Sequence, residues 1–286
     1  MPVFDAKGIP LYYEESGKGE PVVFTHGTVC DYTAWKAQTD ALATEYRTIA
    51  YSRRYAHPNE RQGDVMDSTV QNNAEDLGAF IEGLGLGKVH LVGHSYGGFI
   101  AAYFAIDHPD KLRSLTLANA AVATMLLPKP SAAASLSLLL RSPSVAMSAR
   151  NLVNATRTTV KAVEGGDAAA ASRVFIPALL NRRTDLPPKP SWFEPMVTRN
   201  ARTLQETTAP FPPVTKAEVR RIQVPTLVIW GALSAPWDTR VSETLAQSIS
   251  GSESAVIPGT GHFFFAEDPA AANEKLSMFI RRHREN

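Results

Sequence analysis

Two residues of this chain have the types and surroundings of a nucleophile and its general base. Ser95 lies in GHSYG (93–97), which fits the pattern G-x-S-x-G and follows the apolar run KVHLV (88–92). A sharp strand-to-helix turn at such a pentapeptide strains the serine backbone and exposes its hydroxyl above a sheet. His262 lies in IPGTGHFFFAEDP, which we predict to be a loop between the last strand and the last helix. An imidazole on such a loop can reach a serine hydroxyl and take its proton.

Three motifs give the chain a resemblance to the α/β-hydrolase fold family over nearly its whole length. They are His26-Gly27-Thr28 after the strand VVFT, the turn GHSYGG, and Gly261-His262 near the C-terminus. The runs FTHGTVCDYTAW and SRRYAHPN are similar to a bacterial subgroup of serine hydrolases that is esterase-like or lactonase-like. The resemblance implies a serine–acid–histidine chain order, a lid inserted after the sixth strand, and hydrolysis of an ester or related acyl bond.

The resemblance also implies where an oxyanion hole would lie. Acyl transfer needs backbone N–H groups aimed at the oxygen on which negative charge develops. The family pattern places one donor on Tyr96, directly after the serine, and the other on Thr28, directly after His-Gly. We interpret Cys30 as a small loop residue near the pocket, because no nucleophile turn surrounds it.

The third member of the triad departs from the family pattern. The usual aspartate follows the strand VIWG by three residues, and Ser234 occupies that position. Asp238 lies four residues further on and could supply the carboxylate, although it also suits the N-cap of the next helix. Asn119 ends the strand LTLA and could orient the histidine through its carbonyl without adding charge. A degraded triad without an acid is the third alternative, and the sequence leaves all three open.

The elements that would position these residues alternate between strand and helix. Such alternation predicts an α/β protein with a mainly parallel sheet flanked by helices. We expect a helix from Ser68, where Ser68 and Gln71 have capping-box spacing. The predicted strands are 11–16, 22–25, 47–51, 88–92, 112–118, 225–230 and 254–257, and further helices are predicted over 33–46, 99–106, 239–249 and 269–283.

Residues 122–221 break this pattern and are predicted to form a helical lid. Residues 1–121 and 222–286 would then form the hydrolase core. The segment contains 14 Lys or Arg and 6 Asp or Glu, a net charge of +8, which leaves −7 for the rest of the chain. Two interpretations of this positive charge are open. The charged residues cover a solvated helical surface, or they attract an anionic substrate. Three of the segment's aromatic residues, Trp192, Phe193 and Phe211, are candidates for the substrate pocket or for core packing.

Composition excludes several classes of protein. The formal charge of +1 lacks the basic excess of a nucleic-acid binder. No apolar run reaches membrane-spanning length, and the first residues lack the apolar stretch of a secretory signal. The single cysteine, Cys30, cannot form an internal disulfide, so we expect a soluble, cytoplasmic protein. No metal-ligand spacing occurs, and we expect neither a metal nor an organic cofactor.

The sequence therefore predicts a serine hydrolase that cleaves a carboxylic ester or lactone by an acyl-enzyme mechanism. Its partner would be the small-molecule substrate alone, with no nucleic acid and no membrane; the oligomeric state is open. The same fold hosts other functions. A non-catalytic small-molecule-binding protein, a carbon–carbon bond hydrolase and a cofactor-free oxygenase are the alternatives.

Overall fold

A computed structural model describes residues 2–59, 65–127 and 131–284 of the chain. Within these residues eight strands form one sheet in the order β1-β2-β4-β3-β5-β6-β7-β8. The first two strands pair antiparallel, β2 pairs antiparallel with β4, and all other pairs are parallel. The strands β1 to β8 are Val3–Asp5, Pro10–Ser16, Pro21–Thr25, Arg47–Tyr51, Val89–His94, Leu112–Ala118, Thr226–Gly231 and Glu253–Ile257. The predicted α/β class is confirmed, and β1 is a strand that the sequence pattern missed.

Helices cover both faces of this sheet. Helices α1 to α11 are Lys36–Leu42, Val70–Gly83, Tyr96–Asp107, Ala132–Arg141, Pro143–Glu164, Ile176–Leu179, Phe193–Arg199, Lys216–Val219, Pro236–Ser248, Phe264–Glu267 and Pro269–Arg282. Shorter 3₁₀ segments include Tyr32–Trp35, Val65–Asp67 and Ala201–Thr208. Two hydrophobic clusters lie on the opposite faces of the sheet, which is why β5 is buried along all six of its residues.

The start of α2 differs from the sequence prediction by one residue. Thr69, not Ser68, is the N-cap, and its hydroxyl accepts the backbone N–H of Asn72. The Ser68 hydroxyl does not cap the helix. It donates to Glu206 in the segment 122–221 and accepts from Nδ2 of Asn73. The sequence suggests both hydroxyls as caps equally well, because adjacent Ser and Thr have the same capping chemistry.

The parallel register brings the candidate site residues to one edge of the sheet. Thr25 at the end of β3 pairs with Gly93 of β5, and His94 pairs with Ala118 of β6. Ala118 in turn pairs with Ile229 of β7. The loops that follow these strands therefore meet at the carboxyl edge, which is where open α/β sheets bind ligands.

Residues 122–221 contain α4 to α8, and no strand occurs in the part of this segment that the structure describes. The segment contacts the loops at the carboxyl edge. Arg199 pairs with Asp31 after β3, at 2.8 Å between Nε and Oδ2. Lys189 pairs with the buried carboxylate of Glu267 after the histidine loop, at 2.5 Å. These contacts attach the segment to loops at the edge where Ser95 lies.

Candidate active site

Ser95 occupies a strained turn between β5 and α3. Its φ of 53° and ψ of −119° are unusual for a non-glycine residue. Such a strained conformation persists only where the surrounding contacts enforce it. The Ser95 N–H donates to Ala118 O at 3.0 Å, and Ser95 O accepts from Ala121 N at 2.9 Å. A Cβ on Gly97 would lie 2.5 Å from the backbone oxygen of His26, so only glycine fits there. The turn leaves Ser95 partly exposed among buried neighbours.

His262 is oriented by a carboxylate. Its Nδ1 lies 3.0 Å from Oδ2 of Asp238, and both side chains are buried. Because an ionised carboxylate can only accept, Nδ1 carries the proton and Nε2 has a free lone pair. Within the described ranges Nε2 is buried and has no hydrogen-bond partner, Ser95 included. An unsatisfied buried nitrogen costs about 1–3 kcal/mol, which is consistent with a base kept available for a substrate-bound state.

Asp238 reaches this histidine from the first turn of α9. Ala235 is the N-cap and Pro236 is the first helical residue, so Asp238 does not have the capping role that its sequence position suggested. The first turn directs its carboxylate toward the loop that carries His262. The aspartate therefore lies one helical turn beyond Ser234, the position at which the family pattern places the acid.

Asn119 points elsewhere. Its φ of 41° is left-handed, a region in which Asn is enriched. Its Oδ1 accepts the N–H of Gly231 at 3.2 Å, and its Nδ2 donates to the Ser234 hydroxyl at 3.1 Å. The amide thus joins the ends of β6 and β7. Of the two candidate third members, the structure brings Asp238 to His262 and does not bring Asn119 there.

His94 fixes the loop that carries His262. Its Nε2 lies 3.0 Å from the backbone oxygen of His262, so Nε2 must carry the hydrogen. Burial, reinforced by the nearby His262, lowers the pKa of His94 well below its ordinary value. The ring is therefore neutral and links the residue before Ser95 directly to His262. The two rings lie 4.8 Å apart between centroids.

The two predicted oxyanion donors lie on adjacent elements. Tyr96 is the first residue of α3, where a backbone N–H has no acceptor within the helix. Thr28 lies in the loop after β3, and this loop is held by His26. The Nδ1–H of His26 donates to Gly27 O at 2.8 Å, and its Nε2 accepts the N–H of Arg53 at 3.0 Å. Burial, followed by the charge of Arg53, lowers the pKa of His26 to about 3.

Trp192, Phe193 and Phe211, the predicted pocket residues of the segment 122–221, contact other aromatic rings. Phe193 is buried and meets the ring of Phe263, next to His262, at 4.7 Å in an edge-to-face contact. Trp192 lies 6.1 Å from Phe193. Phe211 packs 6.1 Å from the ring of Tyr96. Phe193 and Phe211 thus pack behind site residues, and contact of any of the three with substrate remains a prediction.

Cys30 is a poor nucleophile in this setting. It is 1% exposed, and burial raises the pKa of its thiol well above the ordinary value. The thiolate is the reactive form of cysteine, so this environment suppresses reaction at Cys30.

Sequence reasoning missed Arg53 and Glu206, which form an ion pair beside Thr28. Glu206 comes from the segment 122–221, 153 residues away in the chain, so no local spacing could reveal the pair. Burial lowers the pKa of Arg53, but the Glu206 carboxylate outweighs this and holds it above its ordinary value. The one available signal was for Arg53, which lies in SRRYAHPN, one of the runs on which the family resemblance rests.

No cluster of three or more His, Cys, Asp or Glu side chains in the described parts of the chain could hold a metal ion. Among the helices described, none combines the length and apolar character needed to cross a membrane.

Comparison with known proteins agrees with this architecture. The family model for the alpha/beta hydrolase fold matches residues 20–269. The chain is 33% identical over 101 residues to 3-oxoadipate enol-lactonase 1 of Acinetobacter baylyi, covering 35% of this chain and 36% of that protein. It is 32% identical over 108 residues to a soluble epoxide hydrolase of a Corynebacterium species, covering 38% and 37%.

These matches span well under half the length of each relative. Among solved structures, an esterase from Exiguobacterium antarcticum superposes with a TM-score of 0.75 at 21% identity, over 96% of each chain. At that identity the likeness shows the fold alone.

Proposed function

The chain belongs to the α/β-hydrolase fold family, and on that basis we propose that it is a serine hydrolase that cleaves a carboxylic ester or lactone. The observation that carries the proposal is the 3.0 Å bond between His262 and Asp238, in the loop that His94 ties to the Ser95 turn. This bond supports Asp238 as the acid among the alternatives that the sequence left open. It also favours catalysis over the alternative of a non-catalytic binding protein, which Ser234 in the usual acid position would suit.

The proposed reaction has two halves, acylation of Ser95 and hydrolysis of the acyl-serine, and His262 transfers protons in both. The Ser95 oxygen attacks the carbonyl carbon, and Nε2 of His262 takes the hydroxyl proton. The N–H groups of Thr28 and Tyr96 donate to the oxygen that becomes negative. His262 then passes its proton to the leaving alkoxide, which departs as the alcohol. Water then loses a proton to His262 and attacks the acyl-serine. The bond between the acyl carbon and the Ser95 oxygen breaks as His262 returns the proton to that oxygen, which releases the acid and restores the serine. Asp238 stabilises the imidazolium in both halves.

The nucleophile also bears on the choice of substrate. An acylated serine is an ester, which activated water can cleave to regenerate the enzyme. Opening of an epoxide by Ser95 would instead leave an ether, which has no carbonyl for water to attack. The chemistry of a serine at this position therefore favours an acyl substrate over an epoxide, although an epoxide hydrolase is among the relatives.

Turnover of a panel of substrates tests this proposal. We expect hydrolysis of short p-nitrophenyl esters or of simple lactones, and no turnover of a p-nitrostyrene oxide. Ser95→Ala should abolish turnover without unfolding the protein, because the hydroxyl forms the bond and contributes little packing. Undiminished turnover by a folded Ser95→Ala protein would show that another residue is the nucleophile. Epoxide turnover without ester turnover would also contradict the proposal.

A further inference from the structure

A buried ion pair joins the core to the segment 122–221 directly beside the candidate oxyanion hole. Arg53 donates from Nη1 to Oε2 of Glu206 at 2.9 Å and from Nη2 to Oε1 at 2.8 Å. The side chains are 1% and 0% exposed. Glu206 lies in the 3₁₀ segment Ala201–Thr208, and Arg53 follows β4. Burying such a pair is costly, and apolar replacements often stabilise a protein as well or better, so stability alone does not explain it.

Both partners hold the loop that carries Thr28. The Thr28 hydroxyl donates to Oε1 of Glu206 at 2.9 Å. Arg53 donates from Nε to the backbone oxygen of His26 at 2.9 Å and from Nη2 to that of Gly27 at 3.3 Å. Three consecutive residues, the last of them a predicted oxyanion donor, are therefore tied to one ion pair.

The next residue is also held by the 3₁₀ segment. Val29 has a φ of 57°, a left-handed conformation that a β-branched residue adopts only under constraint. Its N–H donates to the hydroxyl of Thr203 at 2.9 Å. Thr203 and Glu206 lie one turn apart on that segment, so a single element holds both the Thr28 side chain and the N–H of Val29.

The second predicted donor is bound to the same cluster. The Arg53 guanidinium lies over the ring of Tyr96, 5.0 Å from its centroid. The Tyr96 hydroxyl donates to the backbone oxygen of Ser68 at 2.8 Å, and the Ser68 hydroxyl donates to Oε2 of Glu206 at 2.8 Å. The Thr28 side chain thus contacts Glu206 directly, and the Tyr96 side chain contacts Arg53 directly and Glu206 through Ser68.

We propose that Arg53 and Glu206 are positioning residues for the oxyanion hole, so that docking of segment 201–208 on the core completes the hole. This inference rests on the proposed serine-hydrolase function. It assigns to the segment 122–221 a part in the chemistry beyond covering the site: a carboxylate of that segment sets the direction of the Thr28 N–H. Neither residue touches the reacting atoms. Because the donors that they position stabilise the charge of the transition state, their loss should lower kcat and leave KM nearly unchanged.

Thr28→Val is the most selective variant, because it keeps the backbone N–H and the side-chain shape and removes only the bond to Glu206. We expect kcat for a p-nitrophenyl ester to fall at least about tenfold with KM nearly unchanged; loss of an entire oxyanion donor costs roughly 10²–10³. Thr28→Ser keeps the hydroxyl and should recover kcat relative to Thr28→Val. Glu206→Gln should lower kcat further in the protein that remains folded.

Asp76→Asn is the matched control. Asp76 forms a second buried pair, with Arg54, at 2.7 Å from Nε to Oδ2. That pair does not contact Thr28. Its loss should lower the midpoint of thermal unfolding and leave kcat of the folded protein unchanged. A drop in kcat for Asp76→Asn as large as that for Thr28→Val would overturn the proposal, because general destabilisation would then suffice.

Hydrogen exchange gives a readout that does not depend on turnover. We expect backbone N–H groups of residues 26–29 to exchange faster in Thr28→Val and Glu206→Gln than in wild type and in Asp76→Asn. Unchanged exchange there, or kcat within twofold of wild type for Thr28→Val, would refute the positioning role. An inactive wild type whose loop nonetheless loosens in these variants would refute the hydrolase function, and with it the oxyanion-hole role, and would show only that Glu206 holds residues 26–29.

Discussion

Replacement of Asp238 by Asn separates the two candidate partners of His262. The substitution keeps the size of the side chain and removes its charge. Nδ1 and Oδ2 are 3.0 Å apart in a buried setting, so the centres of charge of an ionised pair lie about 4 Å apart. At an effective dielectric constant of about 20, two unit charges at that separation attract by about 4 kcal/mol. Each 1.36 kcal/mol added to the activation free energy lowers the rate constant tenfold, so loss of this attraction should lower kcat by about 10³.

Loss of ring orientation adds to this electrostatic loss. An Asn can present its NH₂ group to Nδ1 and so favour the wrong tautomer, and the comparable change in a serine protease lowers kcat by about 10⁴. We therefore expect kcat of Asp238→Asn to fall by 10³–10⁴, measured with a p-nitrophenyl ester on protein shown to be folded by circular dichroism. The control is Asn119→Ala, which breaks the contacts to Gly231 and Ser234 and should change kcat only a few-fold. A folded Asp238→Asn protein that retains a tenth of wild-type kcat would refute this reasoning.

Three further outcomes follow from the same geometry. The folded-state pKa of His26 is lowered to about 3 from an ordinary 6.5, so the unfolded chain binds the extra proton between these values. Stability should fall by on the order of 2 kcal/mol from pH 7 to pH 5, measured by urea unfolding, and a flat profile would contradict this. Gly27→Ala should lower kcat, since its Cβ would lie 2.9 Å from that of Ser95; unchanged kinetics would refute the crowding. If the +8 charge of residues 122–221 attracts substrate, KM for an anionic ester should rise with salt, and a constant KM would exclude steering.

The sequence predicted the elements well where local chemistry decides them. Buried parallel strands are short apolar runs between turn residues, and β4 and β6 have the predicted bounds. The strand β1 was missed because three residues with no buried member give no pattern. The turn at Ser95 was predictable because glycine spacing and a strand–helix context coincide at one point of the chain.

The site was less predictable where residues distant in sequence meet. Asp238 follows Ser234 by one helical turn, and only the direction of α9 decides that its carboxylate reaches His262. Arg53 and Glu206 carry no periodic signal, and their pairing depends on how the segment 122–221 packs on the core. From the sequence alone, a charged side chain at either position is predicted to be exposed, because charged residues are seldom buried without a partner.

The most direct test of the account is the site of covalent modification by a p-nitrophenyl phosphonate. This reagent resembles the tetrahedral intermediate and reacts with a serine that is activated by a histidine. The account predicts one adduct per chain, mapped by peptide mass spectrometry to Ser95, absent in Ser95→Ala and formed far more slowly in Asp238→Asn. An adduct on Cys30 or on any other residue, or an active enzyme that the phosphonate neither labels nor inhibits, would contradict it.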